Sequence, residues 1–218
     1  MSNTGAREIT TTQTEPHEKL EQLVRRYQVA KRQRPVSQHT QSAFDQVTAW
    51  LGDWQGPVIF DSCCGVGEST AVLASRHPDA KVIGIDKSAA RLDKHQHYAE
   101  SAGNYTIVRA DLNDFWYLAH QAGLRLSHHY LLYPNPYPKP SQVQKRWHAG
   151  PAMPNIMRLG GQLHVRSNWK LLLQEFQIAL SCYSVDSSLS EVTDHDPITP
   201  FERKYRDSGQ TCWQLQSY

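Results

Sequence analysis

Apolar and polar positions change period several times along the chain, and each change marks an element. Leu20, Leu23, Val24, Tyr27 and Val29-Ala30 recur at helical spacing from Glu18, and Pro35 stops that helix. A second helix is predicted over Ser42 to Leu51, with Phe44, Val47, Trp50 and Leu51 inward. Gly56-Pro57 then opens an unbroken run, Val58-Ile59-Phe60, of the β-branched and aromatic kind found in strands buried on both faces. Strand and helix alternate from there. Ala71 to Ala74 mark a helix ending near His77-Pro78, and Lys81 to Asp86 reads as strand. A helix from Ser88 to about Ala102 stops at Gly103-Asn104. Tyr105 to Ala110 is the third strand, Asp114 to Ala122 a short helix, and His129 to Tyr133 the fourth strand. A helical segment holding Gln144 to His148 is interrupted by Pro151 and Pro154; the strand Gln162 to Val165 and a helix from Trp169 to Leu180 follow. Tyr183 to Tyr218 reads as two strands around a long loop, Asp194 to Gly209. This βαβα alternation predicts an α/β fold: a doubly wound, mostly parallel sheet with helices on both faces and an antiparallel C-terminal hairpin.

The chain has 218 residues, which suits one domain with a substantial core. Residues 1–15 are polar and rich in threonine, so a disordered tail is expected there. Residues 16–218 are expected to form the single domain, with 16–56 a helical extension and 57–218 the core. Hydrophobic residues make up 39% and charged residues 20%, values ordinary for a soluble globular protein. No apolar run approaches the ~18 residues of a membrane span, and the first stretch lacks a signal peptide's apolar segment, so a cytoplasmic location is expected. Net charge is only +2, so any nucleic-acid footprint must come from local clusters. Arg25, Arg26, Lys31, Arg32 and Arg34 form one; Lys139, Lys145 and Arg146 beside Trp147 form another. The plainer alternative for the first is the solvated face of an amphipathic helix. Adjacent Cys63 and Cys64 lack the separated pairs of a zinc site and read as compact packing in a tight turn. The eleven histidines show no metal-ligand spacing, so no metal is expected.

Candidate chemistry gathers at Pro57 to Thr70. The strand ends in Asp61, passes through Cys63-Cys64-Gly65-Val66-Gly67, and enters a helix that Glu68 and Ser69 open. This is the layout of a nucleotide-cofactor crevice at the carboxyl edge of a parallel sheet. A dinucleotide site wants a third glycine where Thr70 stands, and Asp61 would repel a pyrophosphate. S-adenosylmethionine, with its ammonium and cationic sulfur, suits Asp61 better. Asp86 ends the next strand, placed for ribose hydroxyls, and Asp111 follows the third, placed for the adenine amino group. Acids after strands also cap helices, but three in this order favour the adenosyl cofactor. Cys63, Gly65 and Gly67 complete the expected cofactor contacts with Asp61, Asp86 and Asp111. The stretch Pro134-Asn135-Pro136-Tyr137-Pro138-Lys139-Pro140 is a stiff loop that holds Asn135 and Tyr137 beside the expected methyl group.

These stretches, with Ser167-Asn168-Trp169, Thr199 to Glu202 and Cys212-Trp213-Gln214-Leu215, resemble the tRNA (guanine-N7)-methyltransferase family. The resemblance is to the bacterial single-chain type, among the Rossmann-like class I S-adenosylmethionine-dependent methyltransferases, and covers about Pro57 to the C-terminus. It implies cofactor contacts at Asp61, Asp86, Asp111 and Asn135, a catalytic role for Asn135, and substrate contacts at Lys139, Asn168, Thr199 and Glu202. It also implies tRNA as partner. The family carries aspartate at position 135, tryptophan at 137, a basic continuation over 140–144 and a threonine-aspartate pair at 167–168. Guanine N7 has a free lone pair and no proton, so transfer needs no general base, and an amide at 135 weakens chemistry without abolishing it. At 168 an amide offers one acceptor where a carboxylate offers two, which bears on which base is read. Three readings stay open: an RNA methyltransferase, a methyltransferase for a small molecule or protein, and a catalytically silent RNA-binding paralogue.

Overall fold

Each run expected as a strand is a strand in the computed structural model, which describes residues 5–95 and 103–218. In chain order the elements are α1 (Leu20–Val29), α2 (Gln38–Leu51), β1 (Val58–Ser62), α3 (Glu68–Arg76), β2 (Lys81–Asp86), α4 (Ala89–Leu92), β3 (Tyr105–Arg109) and α5 (Leu112–Gln121). They continue with β4 (His128–Leu132), two short 3-10 turns (Pro140–Lys145 and Trp147–Ala149), α6 (Met153–Leu159), β5 (Gln162–Ser167), α7 (Lys170–Ser181), β6 (Ser187–Glu191), α8 (Pro200–Asp207) and β7 (Trp213–Ser217). Backbone pairing orders the strands β3-β2-β1-β4-β5-β7-β6. The pairs β1–β2, β1–β4 and β2–β3 are parallel, while β7 runs antiparallel to both β5 and β6. The doubly wound, mostly parallel sheet with an antiparallel C-terminal pair is therefore present.

The chain divides into two compact units where one domain was expected: Arg32–Leu132 with Asn155–Leu163, and Met1–Lys31 with Tyr133–Pro154 and His164–Tyr218. In the first unit β1 and β2 are buried along almost their whole length. Successive side chains alternate faces, so Ile59 packs with Leu73, Ala74, Ala80 and Val82 under α3, while Phe60 meets Phe115 of α5 edge-on at 5.6 Å. Phe44 of α2 meets the same Phe115 at 5.4 Å. Helices thus cover both faces, which is why these strands carry no polar alternation.

In the second unit α7, with Leu172, Leu173, Phe176 and Leu180 buried, packs against β7, where Leu215 is buried, and against α1, where Leu20, Leu23 and Val24 are buried. Two expectations are corrected here. The loop expected at Asp194 to Gly209 contains α8, because Thr199 caps a helix that Pro200 starts. Of the tail expected to be disordered, residues 5–15 are described and are pinned by hydrogen bonds in place of apolar burial. Its Ala6 N–H donates to Ser208 Oγ at 2.7 Å, Gln210 Nε2 donates to the Ala6 carbonyl, and Thr11 Oγ1 donates to the Pro138 carbonyl. The helix expected over Ser88 to Ala102 begins as α4; its positions 96–102 lie outside the described residues.

Candidate active site

In the first unit, Asp61 ends up fully buried at the carboxyl end of β1. Its Oδ2 accepts from Ser69 Oγ at 2.6 Å and Thr70 Oγ1 at 2.7 Å, while Oδ1 is buried with no hydrogen-bond partner among the described residues. Burial pushes its pKa up to about 6, against the pull of the two hydroxyls. Gly84 makes the arrangement possible, since a Cβ there would lie 2.4 Å from Thr70 Oγ1. The turn that follows bends through left-handed backbone at Cys63 (φ 66°), Gly65 (φ 62°) and Gly67 (φ 80°). Cys63 is the one with a side chain to strain, at a cost of roughly 1–2 kcal/mol. Both the Cys63 and Cys64 N–H groups donate to the Ile85 carbonyl, which ties the turn to β2. A Cβ at Gly65 would meet nothing within 4 Å, so the turn borders open space.

Asp86 is almost fully buried and receives the Gly65 N–H at 3.1 Å and the Ser88 N–H at 2.8 Å, with Arg91 Nη1 3.5 Å away. Asp111 is the N-cap of α5: its Oδ1 accepts from the Asp114 N–H at 3.3 Å, and Arg34 lies 3.7 Å from Oδ2. The capping alternative is thus realised at Asp111. Arg32, expected in a phosphate-binding cluster, instead pairs with the fully buried Asp114 at 2.5 Å. Arg25 and Lys31 remain exposed.

In the second unit the proline loop leaves Tyr133 (φ 52°) and turns again at Tyr137 (φ 46°), conformations that bulky residues rarely adopt. Asn135 is exposed, and its Oδ1 accepts from the Tyr137 N–H at 3.3 Å, so the side chain braces its own loop. Arg146 holds the loop from within: its Nε and Nη2 donate to the Tyr137 carbonyl at 3.1 and 3.0 Å, and Nη2 to the Lys139 carbonyl at 3.4 Å. The sequence placed Arg146 on phosphate; it is instead fully buried and paired with Glu175 Oε2 at 2.5 Å, its guanidinium 5.0 Å over the Trp169 ring. The same oxygen takes His148 Nε2 at 2.9 Å, while Oε1 accepts from Gln13 Nε2 and the His17 N–H. Burial pushes the Glu175 carboxyl up, but His148 and Arg146 outweigh it and hold it at about 2. Burial pushes His148 down, so the charges of the cluster reside on Arg146 and Glu175.

Lys139 is exposed beside this loop. Asn168 Nδ2 donates to Gln210 Oε1 at 2.9 Å. Thr199 Oγ1 accepts the Glu202 N–H at 2.9 Å as the cap of α8. Glu202 is fully buried between Arg166 Nη1 at 3.1 Å and Arg206 Nη2 at 2.7 Å, and Arg166 also pairs with Asp194. Both oxygens of Glu202, where a substrate contact was expected, are taken by arginines, and it anchors a helix. Among the described residues no group of three His, Cys, Asp or Glu could hold a metal, and no helix is long and apolar enough to cross a membrane.

A family model described as "Putative methyltransferase" matches residues 55–215, a span running from just before β1 into β7. The chain belongs to this methyltransferase family. The methyltransferase is 25% identical over 172 residues to a tRNA (guanine-N(7)-)-methyltransferase of Sodalis glossinidius, covering 73% of this chain and 71% of the relative. It is 24% identical over 190 residues to the Colwellia psychrerythraea protein of the same description, covering 82% and 76%. Its fold is similar to that of a solved antibiotic-related methyltransferase, with TM-score 0.59, 14% identity and coverage of 84% and 99%.

S-adenosylmethionine is the methyl donor of this methyltransferase, and the first unit fits it. Asp61 Oδ1 is a buried acceptor with no protein donor among the described residues, as an incoming ammonium needs, and Asp86 supplies an acid at the next strand end. Thr70, Gly84, Arg91, Glu175 and the N-terminal segment were not singled out from sequence, and Arg146 was read as a phosphate ligand. Thr70 had a readable signal, a hydroxyl in the first turn of the helix after Asp61. The pairing of Arg146 with Glu175 had none, because 29 residues separate them.

Proposed function

We propose that this methyltransferase acts on tRNA and transfers the methyl group to guanine N7. The observation that carries the reading is the match to tRNA (guanine-N(7)-)-methyltransferases over 73% of the chain, joined to an acidic crevice with an unsatisfied buried carboxylate oxygen. S-adenosylmethionine, when bound, would supply a methyl group on a sulfonium: a nitrogen lone pair can bond to that methyl with no proton to lose, while the carbon–sulfur electron pair stays on the departing neutral thioether.

The residues of the chain therefore need to bind and align more than to move protons. Asp61 takes the cationic tail, with Ser69 and Thr70 fixing one oxygen so that the other keeps its direction. Asp86 takes ribose hydroxyls, and Asp111 lies at the start of α5 for the adenine edge. Gly65 and Gly67, with Cys63, let the backbone approach the ligand. On the acceptor side Asn135 orients the base from a loop braced by its own carbonyl oxygen and by Arg146. Lys139 contacts phosphate, and Asn168 presents an amide to the base edge. The amide at 135 gives less electrostatic help than a carboxylate, so turnover is slow but present.

The test is transfer from tritiated S-adenosylmethionine to RNA prepared from cells lacking this protein, with nucleoside analysis of the product. Label in 7-methylguanosine within the tRNA fraction, lost in Asp61→Ala, is the expected result. Saturable cofactor binding with no labelled nucleoside would overturn the tRNA reading and point to another acceptor.

A further inference from the structure

Three aromatic rings form a ladder in the second unit. Phe201 of α8 stacks on Tyr205 with ring centroids 6.4 Å apart and an interplanar angle of 23°. Tyr205 in turn packs on Tyr133, 5.6 Å away at 39°. Phe201 is 44% exposed. Its exposure is built in, since α8 cannot roll to bury it. Glu202, the next residue, is locked between Arg166 and Arg206, and Thr199 caps the same turn. The far end of the ladder is fixed by the same arginine, because the Arg166 carbonyl accepts the Tyr133 N–H at 2.8 Å. Tyr133 is also the residue from which the proline loop departs, two positions before Asn135.

We infer that the outer face of Phe201 is a stacking platform for the accepting purine, set at a fixed offset from Asn135 by the Tyr205–Tyr133 ladder. This deepens the proposed function and rests on it for the identity of the base. A flat, rigid, half-exposed ring offers a base a π-face at little entropic cost, and stacking tolerates any purine. Discrimination among purines then falls to polar groups such as Asn135 and Asn168. A base that reacts must be presented out of its helical stack, and such a platform supplies the stacking that it gives up. The exposed Lys204 on the same helix places a cation for the phosphate of that nucleotide.

The experiment compares wild type, Phe201→Ala and Phe201→Trp in methyl transfer to an unmodified tRNA transcript, with S-adenosylmethionine affinity and thermal unfolding alongside. Phe201→Ala should lower kcat/KM roughly 5- to 150-fold, the usual range for losing one stacked base. Cofactor affinity and unfolding temperature should hold, and Phe201→Trp should restore at least half of the rate. An alanine variant within twofold of wild type, or a tryptophan variant as poor as alanine, would overturn the platform. A separate readout keeps it apart from the proposed function. Should wild type methylate no tRNA, that reading fails, and the platform is decided by the tryptophan fluorescence of the Phe201→Trp variant, titrated with a guanosine-containing single-stranded oligonucleotide. Saturable quenching beyond that of wild type supports the platform, and its absence overturns it.

Discussion

Replacing Glu175 by glutamine removes one charge and no volume from the buried cluster that holds the proline loop. Four donors converge on its carboxylate: Arg146 Nη1 and His148 Nε2 on Oε2, and Gln13 Nε2 and the His17 N–H on Oε1. Glutamine keeps one acceptor oxygen, turns a second into a donor facing donors, and strands a fully buried guanidinium. Breaking a buried pair from one side costs about 3–5 kcal/mol, which in a chain of this size lowers the unfolding temperature by roughly 6–20 °C. Adding Arg146→Met should return part of the loss, because no unpaired charge then remains; the Arg146 bonds to the Tyr137 and Lys139 carbonyls are not recovered. Thermal unfolding of both single variants and the double variant by circular dichroism measures the coupling. The acid limb gives an independent check. Glu175 is held at about 2, below the usual carboxylate value near 4.3, so its contribution is whole above that value and disappears as pH falls toward 2. His148 is depressed, so its contribution is lost as pH falls below ~6.5. Wild type should lose stability through both steps, and Glu175→Gln should lose less across the lower one. A single variant within ~1 kcal/mol of wild type, or strictly additive costs in the double variant, would refute the buried-pair account.

Cofactor affinity should fall about tenfold per pH unit below ~6, because a cationic ligand needs Asp61 ionised and burial holds its pKa at about 6. Calorimetry at pH 5, 6 and 7.5 checks this, and Asp61→Asn should flatten the profile. Gly84→Ala should weaken cofactor binding on the order of tenfold, as the new methyl displaces Thr70 from Asp61; unchanged affinity would mean that this hydroxyl does not set the carboxylate. Cys63→Gly should stabilise the fold by up to ~1 kcal/mol in chemical denaturation, since it relieves a left-handed backbone at φ 66°. Destabilisation would show that the thiol packs more strongly than the strain costs.

The strands and the cofactor crevice were legible because their signals are local. Val58 to Phe60 is a contiguous buried run, and the turn to Gly67 follows at once, so sequence order and spatial order coincide. Lys81 to Asp86 was read to the residue for the same reason. What escaped the sequence depends on distant partners. Arg146 looks like a phosphate ligand until Glu175 and Gln13 are found around it, and Arg32 looks solvated until Asp114 receives it. Glu202 stands out in the sequence as a motif residue, which masks the Thr199-x-x-Glu202 spacing of a helix N-terminus. The N-terminal residues carry little apolar surface, and composition alone cannot show that Thr11 and Gln13 have partners waiting.

The central claim is that a guanine N7 lone pair in tRNA takes the methyl group and displaces the cofactor's sulfur as a neutral thioether. The most direct measurement incubates the purified chain and labelled S-adenosylmethionine with two tRNA transcripts, one ordinary and one with every guanine replaced by 7-deazaguanine, which has carbon at position 7. The account predicts 7-methylguanosine in the ordinary transcript and no label in the deaza transcript. Equal labelling of both would place the methyl group elsewhere and contradict it.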